Sequence, residues 1–312
     1  MKYNESVVNS KSQDSFLAER GREYGVHHFM VENSAKLIDV LTDHLKLELS
    51  KAQILIWLGS VYINHDRFLG EPDQLLKKGD YLRVHGSARR YVMPIENPSQ
   101  FLVFENDDFV LINKPPGIPV HALVDNYREN LIYMFKEKCD LDLKVTTRLD
   151  IPTSGLIVYA KTLEFQKKYN AYLRDGKIKK IYRAVSENGR ADSVFPAHWV
   201  HYMEPSLKAP KKISREITVG GLKCELQILK SQTHDQCIEF YIQLLTGRTH
   251  QIRSQLSFEG YPILGDLHYG SAYAPPKGQD KIALQSHELS FPGDFKFRLE
   301  DFIWQNQFTQ QS

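Results

Sequence analysis

The chain has 312 residues, which predicts two domains, and 42% of them are hydrophobic, enough to fill a core and exclude global disorder. A formal net charge of +2 neither demands nor excludes a nucleic-acid partner, because a local basic face can be masked by acids elsewhere. The three cysteines, Cys139, Cys224 and Cys237, have spacings that fit neither a zinc site nor a disulfide framework, so a reducing compartment is expected.

The opening "MKYNESVVNSKSQDSFLAERGREYG" is polar and lacks the apolar core of a signal peptide. No run reaches the roughly 18 apolar residues of a membrane span. The expectation is a soluble cytoplasmic protein without membrane contact, with a flexible extension over residues 1–33. Behind Ser34, a candidate cap, Leu37, Ile38, Leu41 and Leu45 recur at helical spacing. Ser50 heads a second helix carrying Ile54, Leu55 and Leu58, with Gly59 as its stop. "SVYIN" and "DYLRVHG" then read as short strands. Residues 34–92 are therefore a small α+β domain, and the proline-bearing stretch 93–100 is a linker.

Residues 101–312 form the second domain. "FLVFENDDFVLINKPPG" reads as two strands joined by an acidic turn, "ENLIYMFKEKCD" as a helix and "GLIVYA" as a strand. A helix follows with Phe165, Tyr169 and Leu173 on one face. "KKIYRAVSE", "KCELQILKSQ" and "CIEFYIQLLTG" are strands, and "THQIRSQLSFEG" is a helix ending at Gly260. Without strict strand–helix alternation, a mixed, largely antiparallel α+β sheet with flanking helices is expected rather than a doubly wound one.

Three stretches can carry chemistry. In "TTRLDIPTSGLIVYAKT", Asp150 sits on a loop ahead of an apolar strand, a place suited to a catalytic group. On spacing alone, a carboxylate that only organises the turn is the favoured reading. In "LLTGRTHQIRSQL", Arg248, His250 and Arg253 crowd the first turn of a helix that Thr249 could cap. Cations there oppose the helix dipole; they suit a phosphate or carboxylate, or form a solvated basic face. In "DGKIKKIYRAV", Lys177, Lys179, Lys180 and Arg183 surround Tyr182, as a nucleic-acid-binding strand or an edge strand guarded by lysines would. "KAPKKISR", 208–215, is a second basic run and either a plain surface loop or a phosphate contact. No His/Cys/Asp cluster has metal spacing, and there is no Walker loop, dinucleotide fingerprint or nucleophile elbow. Trp57 and Trp199 read as core or rim residues rather than base-stacking platforms.

Together these stretches resemble the RluA-type RNA pseudouridine synthases. "RLDIPTSG" is similar to that family's R-L-D-x-x-T-S-G signature, "KIYRAV" to its second motif, "LLTGRTHQIRSQLSFEGYPILGDLHYG" to its third, and "LINKPPGIPVH" to its early strand and loop. "IALQSHELSF" also resembles its closing strand, and residues 34–86 resemble an S-four-type RNA-binding domain. The resemblance implies that Asp150 is the catalytic carboxylate, that Tyr182 packs on a flipped uracil and that Arg253 pairs with Asp150. It implies that Arg148 enters the RNA stack where the base has left, and that Lys180, Arg183, Arg248, His250 and Lys51 contact RNA. The reaction detaches uracil from ribose, turns it and rejoins it through carbon-5, with no cofactor and no metal; the carboxylate either attacks or deprotonates the ribose. Thr147 and Tyr261 stand where the family usually carries histidine, and both are expected to touch RNA rather than break bonds. The partner implied is RNA, with rRNA favoured over tRNA, acted on by a monomer. The alternative is a catalytically inactive RNA-binding protein of the same fold that acts in ribosome assembly.

Overall fold

The computed structural model describes residues 25–91, 95–187, 196–206, 209–234, 237–300, 302, 304 and 308–310. The chain divides into two compact units: Met1–Pro94 with His121–Met134, and Ile95–Val120 with Phe135–Ser312. Residues 1–24 of the expected extension, 92–94 at the expected linker and Lys208 of the second basic run lie outside the described residues.

The first unit holds an antiparallel sheet of β1 (Val26–Met30), β2 (Val61–Ile63), β3 (Asp66–Arg67) and β4 (Tyr81–His85), in the order β1-β4-β2-β3. Leu82 and Val84 of β4 are buried while Tyr81, Arg83 and His85 are half-exposed, the alternation of a strand with one covered face. The covering helices are α1 (Leu37–Asp39), which runs into a π-helical turn at Val40–His44, and α2 (Leu49–Trp57). Leu37, Leu41, Leu55 and Ile56 pack with Val61, Leu82 and Val84. Neither expected cap is used. Lys36 and Glu48 precede the helices without side-chain caps, and Ser50 lies inside α2, so burial of the apolar stripe holds them.

Two boundaries differ from the sequence expectation. Strand β1 lies within the expected extension and pairs with β4 along its whole length. Residues 121–134 belong to the first unit, although sequence order assigns them to the second. The Tyr127 amide donates to Leu58 O (2.7 Å), Arg67 to Leu123 O (2.8 Å), and Arg90 pairs with Glu129 (2.7 Å).

In the second unit the chain forms β5 (Leu102–Glu105), β6 (Phe109–Lys114), α3 (Leu131–Cys139, which begins in the first unit), β7 (Ser154–Ala160), α4 (Leu163–Arg174) and β8 (Lys179–Glu187). There follow β9 (His198–Met203), β10 (Ile213–Ser214), β11 (Leu222–His234), β12 (Cys237–Leu244), α5 (Gln251–Phe258), β13 (Leu284–Phe291) and β14 (Phe295–Arg298). The sheet runs β10-β9-β11-β12-β8-β13-β7-β6-β5, with β14 on β13. The pair β7–β13 is parallel and its other main ladders are antiparallel, as the sequence led us to expect. Thr162 caps α4 by accepting from the Phe165 amide, and Phe165 and Tyr169 pack with Phe109, Leu156 and Leu289. Ile252 and Leu256 of α5 belong to a second cluster with Tyr182, Leu226, Phe240 and Ile242. The strand β7 is buried from Gly155 to Ala160 and so is a rigid base for the loop before it. Among the described residues, no helix is long and apolar enough to cross a membrane.

Candidate active site

The loop 146–153 is tied to the core at several points. Leu149 packs against the α5-side cluster, so the residues flanking it, Arg148 and Asp150, are carried at the loop surface. The Thr153 amide donates to Asp150 O (3.1 Å), which closes the turn, and the Gly117 amide donates to Ile151 O (2.8 Å). Gly155 has φ +107°, and a Cβ there would lie 2.3 Å from Ser286 O. Only glycine permits this backbone to approach β13 so closely.

Beneath the loop lies Lys114, the last residue of β6 and fully buried. Its ammonium donates to the carbonyls of Pro115 (2.9 Å), Ile151 (2.9 Å) and Thr153 (2.7 Å). Three donors meet three acceptors, which is how a buried lysine becomes tolerable. Burial nevertheless pushes its ammonium down to about 7, against the attraction of Asp150 and Asp280.

Opposite the loop, α5 presents Arg253, which is 3% exposed. Its Nε and Nη2 grip Asp266 at 2.6 and 2.8 Å, a forked geometry that turns Nη1 toward Asp150 Oδ2 at 3.2 Å. Burial alone would push the guanidinium pKa down; the Asp266 and Asp150 carboxylates overcome this and raise it. Asp266 is the stronger anchor, with two short bonds and 1% exposure, whereas the Asp150 side chain is 22% exposed. Asp150 is thus the carboxylate that a solute can reach.

Helix α5 begins a residue or two later than expected, at Gln251. Thr249 does not cap it. His250 precedes the helix in the left-handed region (φ 58°), and Gln251 instead accepts from the Arg248 amide (3.0 Å) and the Thr246 hydroxyl (2.8 Å). The turn brings His250 Nε2 to 3.9 Å from Asp150 Oδ2, while its Nδ1 lies 3.0 Å from the Tyr269 hydroxyl. Burial pushes the His250 imidazole pKa down despite the pull of Asp150. The Tyr269 hydroxyl also accepts from the Lys211 amide (2.8 Å), which ties the second basic run to this side of the site.

Tyr182, on β8, is 7% exposed. Burial pushes its phenol up to about 12, against a hydrogen bond with Ser286 and with a further upward push from Asp150. It stays neutral near pH 7 and offers a ring rather than a charge.

Of the residues singled out in the sequence, Asp150, Arg253 and His250 come together, with Tyr182 on the same side of the sheet. Arg148 and Arg248 are exposed, and Lys180, two residues before Tyr182, is half-buried with its ammonium pushed down by burial. Arg183 is a correction. Neighbouring strand residues face opposite ways, so it points away from Tyr182. Its side chain pairs with Glu239 at 2.6 Å and lies against Tyr241 and Phe302, so it does not join the basic cluster expected around Tyr182. Tyr261 is a second correction: it is 5% exposed and packs edge-on against Phe240, a core residue rather than an RNA contact. Lys51 is exposed on α2 of the first unit. Lys114, Asp266, Tyr269 and Ser286 were missed. Lys114 and Asp266 are charges that close the mostly apolar runs "FVLINK" and "YPILGD", which marks neither for its role.

A family model described as RNA pseudouridylate synthase matches residues 108–258, which include Lys114, Asp150, Tyr182 and Arg253. The chain is 31% identical over 221 residues to RNA pseudouridine synthase 6, chloroplastic, of Arabidopsis thaliana, covering 63% of this chain and 46% of that protein. It is 33% identical over 218 residues to Pseudouridylate synthase RPUSD2 of Homo sapiens, covering 69% and 38%. It is 29% identical over 289 residues to Ribosomal large subunit pseudouridine synthase D of Buchnera aphidicola subsp. Acyrthosiphon pisum (strain APS), covering 82% and 86%. The match thus spans less than half the length of the first two relatives. The chain belongs to the RluA-type RNA pseudouridine synthase family.

Proposed function

We propose that this chain is an RNA pseudouridine synthase with Asp150 as its catalytic carboxylate. The observation that carries this reading is the Asp266–Arg253–Asp150 chain, in which a buried fork orients one partly exposed carboxylate. Arg253 and His250 both approach Oδ2, so Oδ1 is the oxygen left for the ribose. The bond between N1 and C1′ breaks, the uracil turns, and C5 joins C1′. The proton that C5 loses is balanced by the one N1 gains, and no cofactor enters. A uridine stacked in folded RNA cannot reach Asp150, so the base must leave the helix, and the Tyr182 ring supplies an apolar wall for it. Arg148, exposed on the loop beside Asp150, enters the stack that the base has left, and Arg248 is an exposed cation for a flanking phosphate. Similarity to a protein named for the ribosomal large subunit supports rRNA as the substrate. The first unit, with its short sheet and two helices, acts as the S-four-like RNA-binding module.

The test is chemical mapping of pseudouridine in rRNA and tRNA transcripts incubated with wild-type protein or Asp150→Ala. Wild type should modify specific uridines, and the variant should bind the RNA without modifying it. Turnover by Asp150→Ala would remove the aspartate from the mechanism. Tight RNA binding by a wild-type protein that modifies nothing would establish the inactive RNA-binding alternative instead.

A further inference from the structure

We propose that the first unit carries a stacking site for an unpaired base of the substrate RNA, built on Trp57 and flanked by Arg90 and Arg128. The proposal rests on the RNA-modifying reading above and specifies how that unit holds RNA. Trp57 ends α2 and is 47% exposed, whereas the chain's other two tryptophans, Trp199 and Trp304, are 4% and 9% exposed. The helix fills the core with Ala52, Leu55 and Ile56, so the indole is not needed there. Together with Ile54, one turn earlier and 40% exposed, it presents an apolar surface to solvent.

Two cations border that surface. The guanidinium carbons of Arg90 and Arg128 lie 5.9 and 5.6 Å from the indole centroid. Within the same unit, Arg83 sits 3.8 Å from the Tyr62 centroid, and Tyr62 is only 7% exposed. That comparison decides the geometry. Arg83 lies close over its ring, while Arg90 and Arg128 lie over theirs from farther out, and about half of the indole's surface stays exposed. Both cations are held in place. Arg128 Nε donates to Trp57 O (2.6 Å) and Nη1 to the Tyr133 hydroxyl. Arg90 donates twice to Glu129 Oε1 (2.9 and 2.7 Å), whose other oxygen accepts from the Tyr91 amide and Asn126. Even so, the Arg90 side chain remains 42% exposed.

An open indole between two fixed guanidinium groups matches a nucleotide. The base stacks on the ring and its phosphates meet the cations. A paired base is already stacked on its neighbours, so the site favours an unpaired one. An apolar protein segment would gain nothing from the two charges, which it would have to desolvate.

The experiment titrates the full chain with single-stranded oligoadenylate and with a fully paired RNA hairpin while tryptophan fluorescence is recorded. Oligoadenylate should quench the emission and the hairpin should do so far less. Trp57→Phe should abolish the quench but keep most of the affinity, because phenylalanine still stacks. Trp57→Ala should weaken oligoadenylate binding by about 5- to 150-fold, the loss of one base–aromatic stack. Oligoadenylate that fails to bind, or binds wild type and Trp57→Ala equally without a Trp57 quench, overturns the proposal. Pseudouridine mapping on rRNA separates the two readings. Modification without Trp57 stacking sinks only this inference, and stacking without modification sinks only the enzymatic assignment.

Discussion

Replacing Lys114 with methionine tests how the floor of the site is held. The ammonium is fully buried, and burial pushes it from 10.5 down to about 7. That corresponds to about 5 kcal/mol opposing folding while the group is charged, at about 1.4 kcal/mol per pH unit. Working against this are the carbonyls of Pro115, Ile151 and Thr153 at 2.7–2.9 Å; a hydrogen bond to a charged group contributes about 1.5–3 kcal/mol. The two effects are of similar size, so pH is the variable that separates them. Below pH 7 the lysine is charged in both folded and unfolded chains, and above 10.5 it is neutral in both. Between these limits the unfolded chain holds the extra proton, so stability rises with pH across the window. Lys114→Met has no such group. In urea unfolding of both proteins, wild type should therefore gain on the variant by about 2 kcal/mol between pH 7 and about pH 9, while the shared titrating groups cancel. A flat difference would refute the depressed ammonium and show that the carbonyls keep it charged. Turnover should fall at every pH, because two of the three carbonyls belong to the loop behind Asp150.

Gly155→Ala should destabilise the second unit by about 3 kcal/mol or more, since its Cβ would meet Ser286 O at 2.3 Å on a backbone with φ +107°; thermal unfolding at or above the wild-type midpoint would contradict the close approach. Arg253→Met should cost about 3–5 kcal/mol by leaving the Asp266 carboxylate buried without its fork. The double variant Arg253→Met, Asp266→Leu should recover most of that stability in urea but no turnover, and recovery of both would make the fork purely structural. Arg183→Gln should leave the salt dependence of RNA binding unchanged, because its charge is spent on Glu239 beneath Phe302; a slope of log affinity against log salt shallower by about 0.7–0.9 would show that it meets a phosphate after all.

Local patterns determined the kind of element along most of this chain. Alternation in β4, the Phe165–Tyr169–Leu173 stripe of α4 and the unbroken apolar run of β7 are each set by neighbours in sequence, and each formed as expected. The motifs around Asp150, Tyr182 and Arg253 were legible too, though only through resemblance, because spacing alone left Asp150 as a turn residue. Tertiary structure decided which side chains those motifs actually use. Asp150 and Arg253 are 103 residues apart, and the fork that aims one at the other comes from Asp266, a residue with no local mark of that duty. Lys114 is bearable only because carbonyls from 37 and 39 residues later converge on it. Arg183 is held away from Tyr182 because Glu239, on the neighbouring strand, pairs with it on the other side of the sheet. The return of residues 121–134 to the first unit depends on acceptors and cations at Leu58, Arg67 and Arg90. In each case the choice turned on burial and on hydrogen-bond partners brought together by chain closure, and a sequence pattern that reports only its own few neighbours does not contain them.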